Sequence, residues 1–217
     1  MIKGIIFDLD GVLVDTETFF NQQIKEHLKA YDVVYDDALI DSYVGISDPE
    51  LCKKLDPLLP ETISGERFVQ EIYDENMANP IDYQALMFSH VKLTLWMLKA
   101  MDLKLALASS SQREFIDEAL VKMGLEESFD VTTSGHEFAL SKPHPEIYDV
   151  TLKRLGLNSD ECLAVEDSHI GICSAKAAGL YTLAHRDQQF NIDQSNADAL
   201  YDDIEEIIAL VEQMKRK

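Results

Sequence analysis

The order of its apolar runs constrains this chain more than any other feature. Short runs of strand length, at residues 5–7, 103–108, 129–133, 162–165 and 180–184, are separated by amphipathic blocks at 91–100, 114–123, 146–155 and 170–178. Strands alternating with helices of that length predict an α/β fold, a parallel sheet covered on both faces. Gly124, Gly156 and Gly179 stand where those helices would end, as a left-handed C-terminal residue requires. One block breaks the alternation. From Val14 to Met87 the pattern is helix after helix, with Phe19, Phe20, Ile24 and Leu28 as an apolar stripe and Pro49, Pro57 and Pro60 as punctuation. The prediction is a core of residues 1–13 and 88–217, with an all-helical insert at 14–87 directly after strand one.

At 217 residues the chain suits one domain carrying an insertion, since a second full domain would be crowded. With 46% hydrophobic and 27% charged residues it can bury a core, which excludes general disorder. Its formal charge of −21 excludes a basic nucleic-acid footprint and predicts repulsion from an anionic membrane. No apolar stretch approaches the ~20 residues of a membrane span. Gly4-Ile5-Ile6-Phe7 meets Asp8 and Asp10 at once, leaving no room for a signal-peptide core. Three cysteines without a Cys-x-x-Cys pair predict reduced thiols in a cytoplasmic protein. The insert holds 16 acids and 5 bases, about half of the net charge, so the acidity is spread evenly and reads as solubility rather than as a site.

In open α/β sheets, ligands bind outside the carboxyl ends of the strands. Strand one delivers Asp8 and Asp10 there, the second strand Ser109, and the fourth Glu166 and Asp167. Lys142 lies in the Ser141-Lys142-Pro143-His144-Pro145 loop before a helix. Each has a plainer reading alone: Asp-x-Asp-Gly is common in loops, the serines can cap a helix, and a lone lysine is usually solvated. Joint placement at separate strand ends favours a site. Three gathered carboxylates cannot all stay ionised without a cation between them. A hard divalent ion with oxygen ligands answers this, and Mg²⁺ suits an open site that receives a phosphate. A calcium loop fails because Phe19 stands where its bidentate acid belongs, and His136-Glu137 lacks the second histidine of a zinc protease motif.

The stretch Ile5-Ile6-Phe7-Asp8-Leu9-Asp10-Gly11-Val12-Leu13-Val14-Asp15-Thr16-Glu17 resembles the first motif of the haloacid dehalogenase-like hydrolases. Leu107-Ala108-Ser109-Ser110 resembles their second motif, Lys142-Pro143-x-Pro the third and Val165-Glu166-Asp167-Ser168 the fourth. The insert is similar to the small helical cap of the β-phosphoglucomutase-like phosphatases. The resemblance implies a Rossmann-like core, a cap that closes over the site, and hydrolysis of a small phosphorylated metabolite by a monomer or weak dimer. It implies Asp8 as nucleophile, Asp10 as general acid and base, Ser109 and the amide of Ser110 on phosphate oxygens, and Lys142 neutralising charge. Mg²⁺ would bind Asp8, the carbonyl of Asp10 and Asp167, with Glu166 nearby.

Two departures separate subfamilies. The mutase branch calls for a cap histidine soon after Asp15 and a cap arginine soon after Gly45, where this chain has Phe20 and Asp48. That counts against a phosphoglucomutase-type isomerase, which must grip a second phosphate. Asp10 counts against a haloacid dehalogenase, and the insert with the Asp-x-Asp spacing against a phosphoacceptor signalling module.

Overall fold

The computed structural model describes residues 1–215. Six strands form one parallel sheet: β1 (Gly4–Phe7), β2 (Lys104–Ser109), β3 (Val131–Ser134), β4 (Cys162–Glu166), β5 (Tyr181–His185) and β6 (Ala199–Tyr201). Their spatial order is β3-β2-β1-β4-β5-β6. All of β1 and β4 is buried, as continuous apolar strands covered on both faces must be. The chain winds outward from β1 to β3, then crosses back to lay β4 on the other side of β1. The crevice at that reversal, between β1 and β4, is where a doubly wound sheet accepts a ligand.

Register makes the crevice specific. Gly4 pairs with Lys104 and Cys162, and Phe7 with Leu107 and Val165. The residues just beyond Phe7 and Val165 therefore emerge level, and the Asp8 amide donates to the Val165 carbonyl at 2.9 Å.

The sixth strand lies outside the five apolar runs read from the sequence. Its three residues, Ala-Leu-Tyr, are too few and too exposed to stand out. Pairing with β5 creates it: the Asp198 carboxylate accepts from the Thr182 amide at 2.7 Å, and the Arg186 amide donates to the Tyr201 carbonyl at 2.8 Å.

The chain forms two compact units, one of residues 1–15, 83–188 and 192–217, the other of 16–82 with 189–191. Around the sheet of the first unit lie α5 (Tyr83–Leu86), α6 (Val91–Ala100), α7 (Arg113–Met123), α8 (Glu146–Leu155), α9 (His169–Ala177) and α10 (Glu206–Lys215). Helix α6 buries Val91, Thr94, Leu95 and Leu98 on one stripe. Gly124 and Gly156 close α7 and α8 at left-handed φ values of 65° and 67°. Val14, Asp15 and residues 83–87 lie in the sheet unit. There the Asp15 amide donates to the Leu86 carbonyl at 2.9 Å and the Phe88 amide to the Leu13 carbonyl at 3.1 Å.

The second unit holds α1 (Thr16–Ala30), α2 (Asp37–Asp41), α3 (Asp48–Leu55) and α4 (Gly65–Ala78). Its own core is Ile24, Leu28, Ile40, Leu55, Phe68, Val69 and Ile72. Pro49 sits in the first turn of α3, where its missing N–H costs nothing. Cys52, Cys162 and Cys173 are free thiols. Among the described residues no helix is long and apolar enough to cross a membrane.

Candidate active site

The chain leaves β1 through Asp8 and turns at Gly11. Gly11 has φ +70°, and a Cβ there would come within 2.0 Å of Asp167 Oδ2. Only glycine tolerates both the backbone and the contact. This turn separates two aspartates that a straight strand would point the same way. Asp8 is buried, with Oδ1 accepting its neighbour's amide, from Leu9, at 2.8 Å. Asp10 is only half-buried, and its Oδ2 accepts the hydroxyls of Ser111 at 2.8 Å and Ser109 at 3.3 Å.

Lys142 reaches the same point from the loop before α8 and is buried. Its ammonium donates to Asp8 Oδ2 at 2.9 Å, Glu166 Oε1 at 2.7 Å and the Ala108 carbonyl at 3.1 Å. All three N–H groups are thus engaged. Burial works against the ammonium, but Asp8 and Glu166 outweigh it and hold its pKa above the ordinary lysine value. Burial also dominates at Asp8 and pushes its carboxyl up to about 7. Lys142 counters that rise and Glu166 adds to it.

Oxygens of Asp8, Glu166 and Asp167 lie within 4.8 Å of one another, so these acidic groups could hold a metal ion. Asp167 itself is buried. The Gln194 amide bridges the carbonyls of Asp167 and His185, at 2.6 Å each, and so ties the end of β4 to the end of β5.

The structure therefore brings Asp8, Asp10, Ser109, Lys142, Glu166 and Asp167 to one edge of the sheet. Ser110 also lies at that edge, exposed on the turn out of β2. Four neighbours were not singled out from the sequence. Ser111 sits in the serine run but reads as a helix cap. Tyr148 follows the apolar face of α8 and reads as core, yet its hydroxyl donates to Glu166 Oε1. Gln194 lies in an irregular stretch with no periodicity. Gly171 is the one with a legible signal, a glycine inside a helical pattern, which marks a close approach. A Cβ there would meet Glu166 Oε2 at 2.0 Å.

Residues 5–185 match the family model of the haloacid dehalogenase-like hydrolases. The chain belongs to this family. It is 31% identical over 187 residues to the phosphorylated carbohydrates phosphatase of Thermotoga maritima, covering 82% of each chain. Against the phosphoglycolate phosphatase of Yersinia pestis it is 29% identical, over 82% of this chain and 78% of that one. The crystal structure of a β-phosphoglucomutase from Clostridium difficile superposes with a TM-score of 0.77 at 22% identity, covering 98% of this chain and 96% of that one. At that identity the likeness speaks for the fold, a Rossmann-like core carrying a helical insert.

Proposed function

We propose that this hydrolase is a phosphatase that cleaves a small phosphate monoester, a sugar phosphate or similar metabolite, through an aspartyl-phosphate on Asp8. The observation that carries the reading is the unequal treatment of two aspartates two positions apart. Asp8 is buried against an ammonium, while Asp10 stands half-exposed on two serine hydroxyls. A nucleophile needs a fixed, desolvated position, and an acid–base group needs contact with solvent and leaving group. The names of the relatives, phosphatases of phosphorylated carbohydrates and of phosphoglycolate, support the reaction class.

Asp8 attacks phosphorus in line, forming the P–O(Asp8) bond as the ester P–O bond breaks. Asp10 gives its proton to the departing alkoxide. It then takes a proton from water, which attacks phosphorus and breaks the P–O(Asp8) bond. Inorganic phosphate leaves and the Asp8 carboxylate is restored. Ser109 and the amide of Ser110 would hold phosphate oxygens, while Lys142 aims Asp8 and favours its ionised form against the effect of burial.

The donor set fits Mg²⁺, because three carboxylates share a site with one ammonium and offer only hard oxygen ligands. Asp8, Asp167 and the backbone carbonyl of Asp10 would hold the ion, with Glu166 beside them. When bound it supplies positive charge to the phosphoryl oxygens.

Phosphate release from p-nitrophenyl phosphate and from a panel of phosphorylated metabolites tests this reading. Activity should require Mg²⁺, and full activity in EDTA would overturn the metal assignment. In Asp10→Asn, turnover should fall roughly 100- to 10,000-fold per assisted step. That variant should accumulate one phosphate equivalent by mass, since the good leaving group still departs but water lacks its base. Wild-type turnover in Asp10→Asn would mean that the acid–base role lies elsewhere. With a hexose 1-phosphate, release of phosphate marks a hydrolase, and its return to sugar a mutase.

A further inference from the structure

The reaction written above gives Tyr148 and Gly171 nothing to do, yet both are fitted to the same carboxylate. Tyr148, on α8 and fully buried, donates its phenol O–H to Glu166 Oε1. That oxygen also accepts Lys142 Nζ at 2.7 Å. The tyrosine ring faces the same ammonium, with Nζ 5.4 Å from the ring centroid. Glu166 Oε2 also accepts from the Asp167 amide at 3.4 Å, and the carboxylate as a whole fills the space a Cβ at residue 171 would take, with Oε2 2.0 Å and Oε1 2.4 Å from it. Glu166 has no solvent exposure. Its carboxylate is therefore clamped on both oxygens by protein groups.

The consequence passes to Lys142. An ammonium has three N–H groups, and these are given to Asp8, Glu166 and Ala108. Fixing Glu166 fixes one of the three, and with it the direction of the N–H that meets Asp8. Without the phenol, Oε1 would lose one of its two donors, and Glu166 would hold Lys142 less firmly on Asp8.

We propose that Tyr148 is a positioning residue: by clamping Glu166 against Gly171 it holds Lys142 on the attacking carboxylate of Asp8. The proposal rests on the reading of Asp8 as nucleophile and assigns Glu166 to the lysine rather than to the metal. Tyr148→Phe keeps the ring and removes only the donor. With p-nitrophenyl phosphate and Mg²⁺, kcat should fall about 10- to 100-fold while KM stays within about threefold. Mg²⁺ affinity measured by calorimetry should stay within about threefold of wild type, because the residue acts through the lysine.

A tyrosine that merely fills the core would give lower thermal stability with kcat unchanged, and that result would overturn the proposal. So would a loss of Mg²⁺ affinity matching the loss of kcat, since the phenol would then act on the metal's carboxylates. Tyr148→Met removes the same donor with a flexible apolar chain that can fill the ring's space, and should show the same split between kcat and KM. It keeps the question open to test if Tyr148→Phe does not fold. If wild-type protein releases no phosphate from any monoester, the function reading fails. If it does and both folded variants turn over normally, this inference alone fails.

Discussion

Asp8 is a buried carboxyl that folding and chemistry treat differently. Desolvation favours its neutral form, Lys142 favours its ionised form, and burial wins, leaving the carboxyl at about 7 against an ordinary 3.8. A carboxyl raised in this way stabilises the fold while it is protonated, and that contribution is lost as the pH rises through about 7. Asp8→Asn should therefore abolish turnover and, in EDTA, melt higher than wild type. The gain should be small near pH 4 and widen until about pH 7, then level off, since only the wild type acquires a buried charge in that window. Thermal melts of both proteins across that range are the check. A pH-independent difference would show that the lysine cancels burial, and an asparagine variant that is less stable at pH 8 would show that it outweighs burial.

At the level of elements, α9 matters because it begins immediately after the acids of β4. Ser168 is its N-cap, with Oγ accepting from the Gly171 amide at 3.1 Å. Ser64 caps α4 in the helical unit in the same way, accepting from the Arg67 amide at 3.2 Å. Each replacement by alanine should cost about 1 kcal/mol of local stability. The two should differ in function. Ser168→Ala loosens the segment that carries Glu166, Asp167 and Gly171, so kcat should fall along with stability. Ser64→Ala should lower stability with kcat intact. Denaturant melts paired with steady-state rates decide the matter, and equal effects on kcat would remove the link between this cap and the site.

Over the whole molecule, a charge of −21 opposes both compaction and the approach of an anionic substrate. Many ion pairs, such as Arg113 with Asp117 and Arg186 with Asp202, are half exposed, and pairs of that kind add little. Net repulsion should therefore dominate the response to salt. In EDTA at pH 8 the melting temperature should rise as NaCl goes from about 10 to about 150 mM, which shortens the screening length from about 30 to about 8 Å. A falling melting temperature would mean that the ion pairs outweigh the repulsion. Lys142 is one ammonium among the carboxyl groups of Asp8, Glu166 and Asp167, so it does not by itself offset the field of the surface.

The sequence alone determined the class of fold, because short apolar runs, helix stripes and their alternation are local properties of the chain. It also determined that Asp8, Asp10, Ser109, Lys142, Glu166 and Asp167 reach one edge. In a parallel sheet every strand ends on the same side, whatever the strand order. Only the tertiary structure decided which ends are neighbours. Lys142 and Asp8 are 134 positions apart, and nothing in either segment encodes their 2.9 Å contact. Tyr148 reads as core because its ring is core, and only the packing of α8 against β1, β2 and β3 brings its hydroxyl to the Glu166 carboxylate. Strand β6 likewise exists because β5 offers an open edge to three residues with little strand character of their own. Local chemistry fixes which side chains are available, while the three-dimensional packing of distant segments fixes their partners.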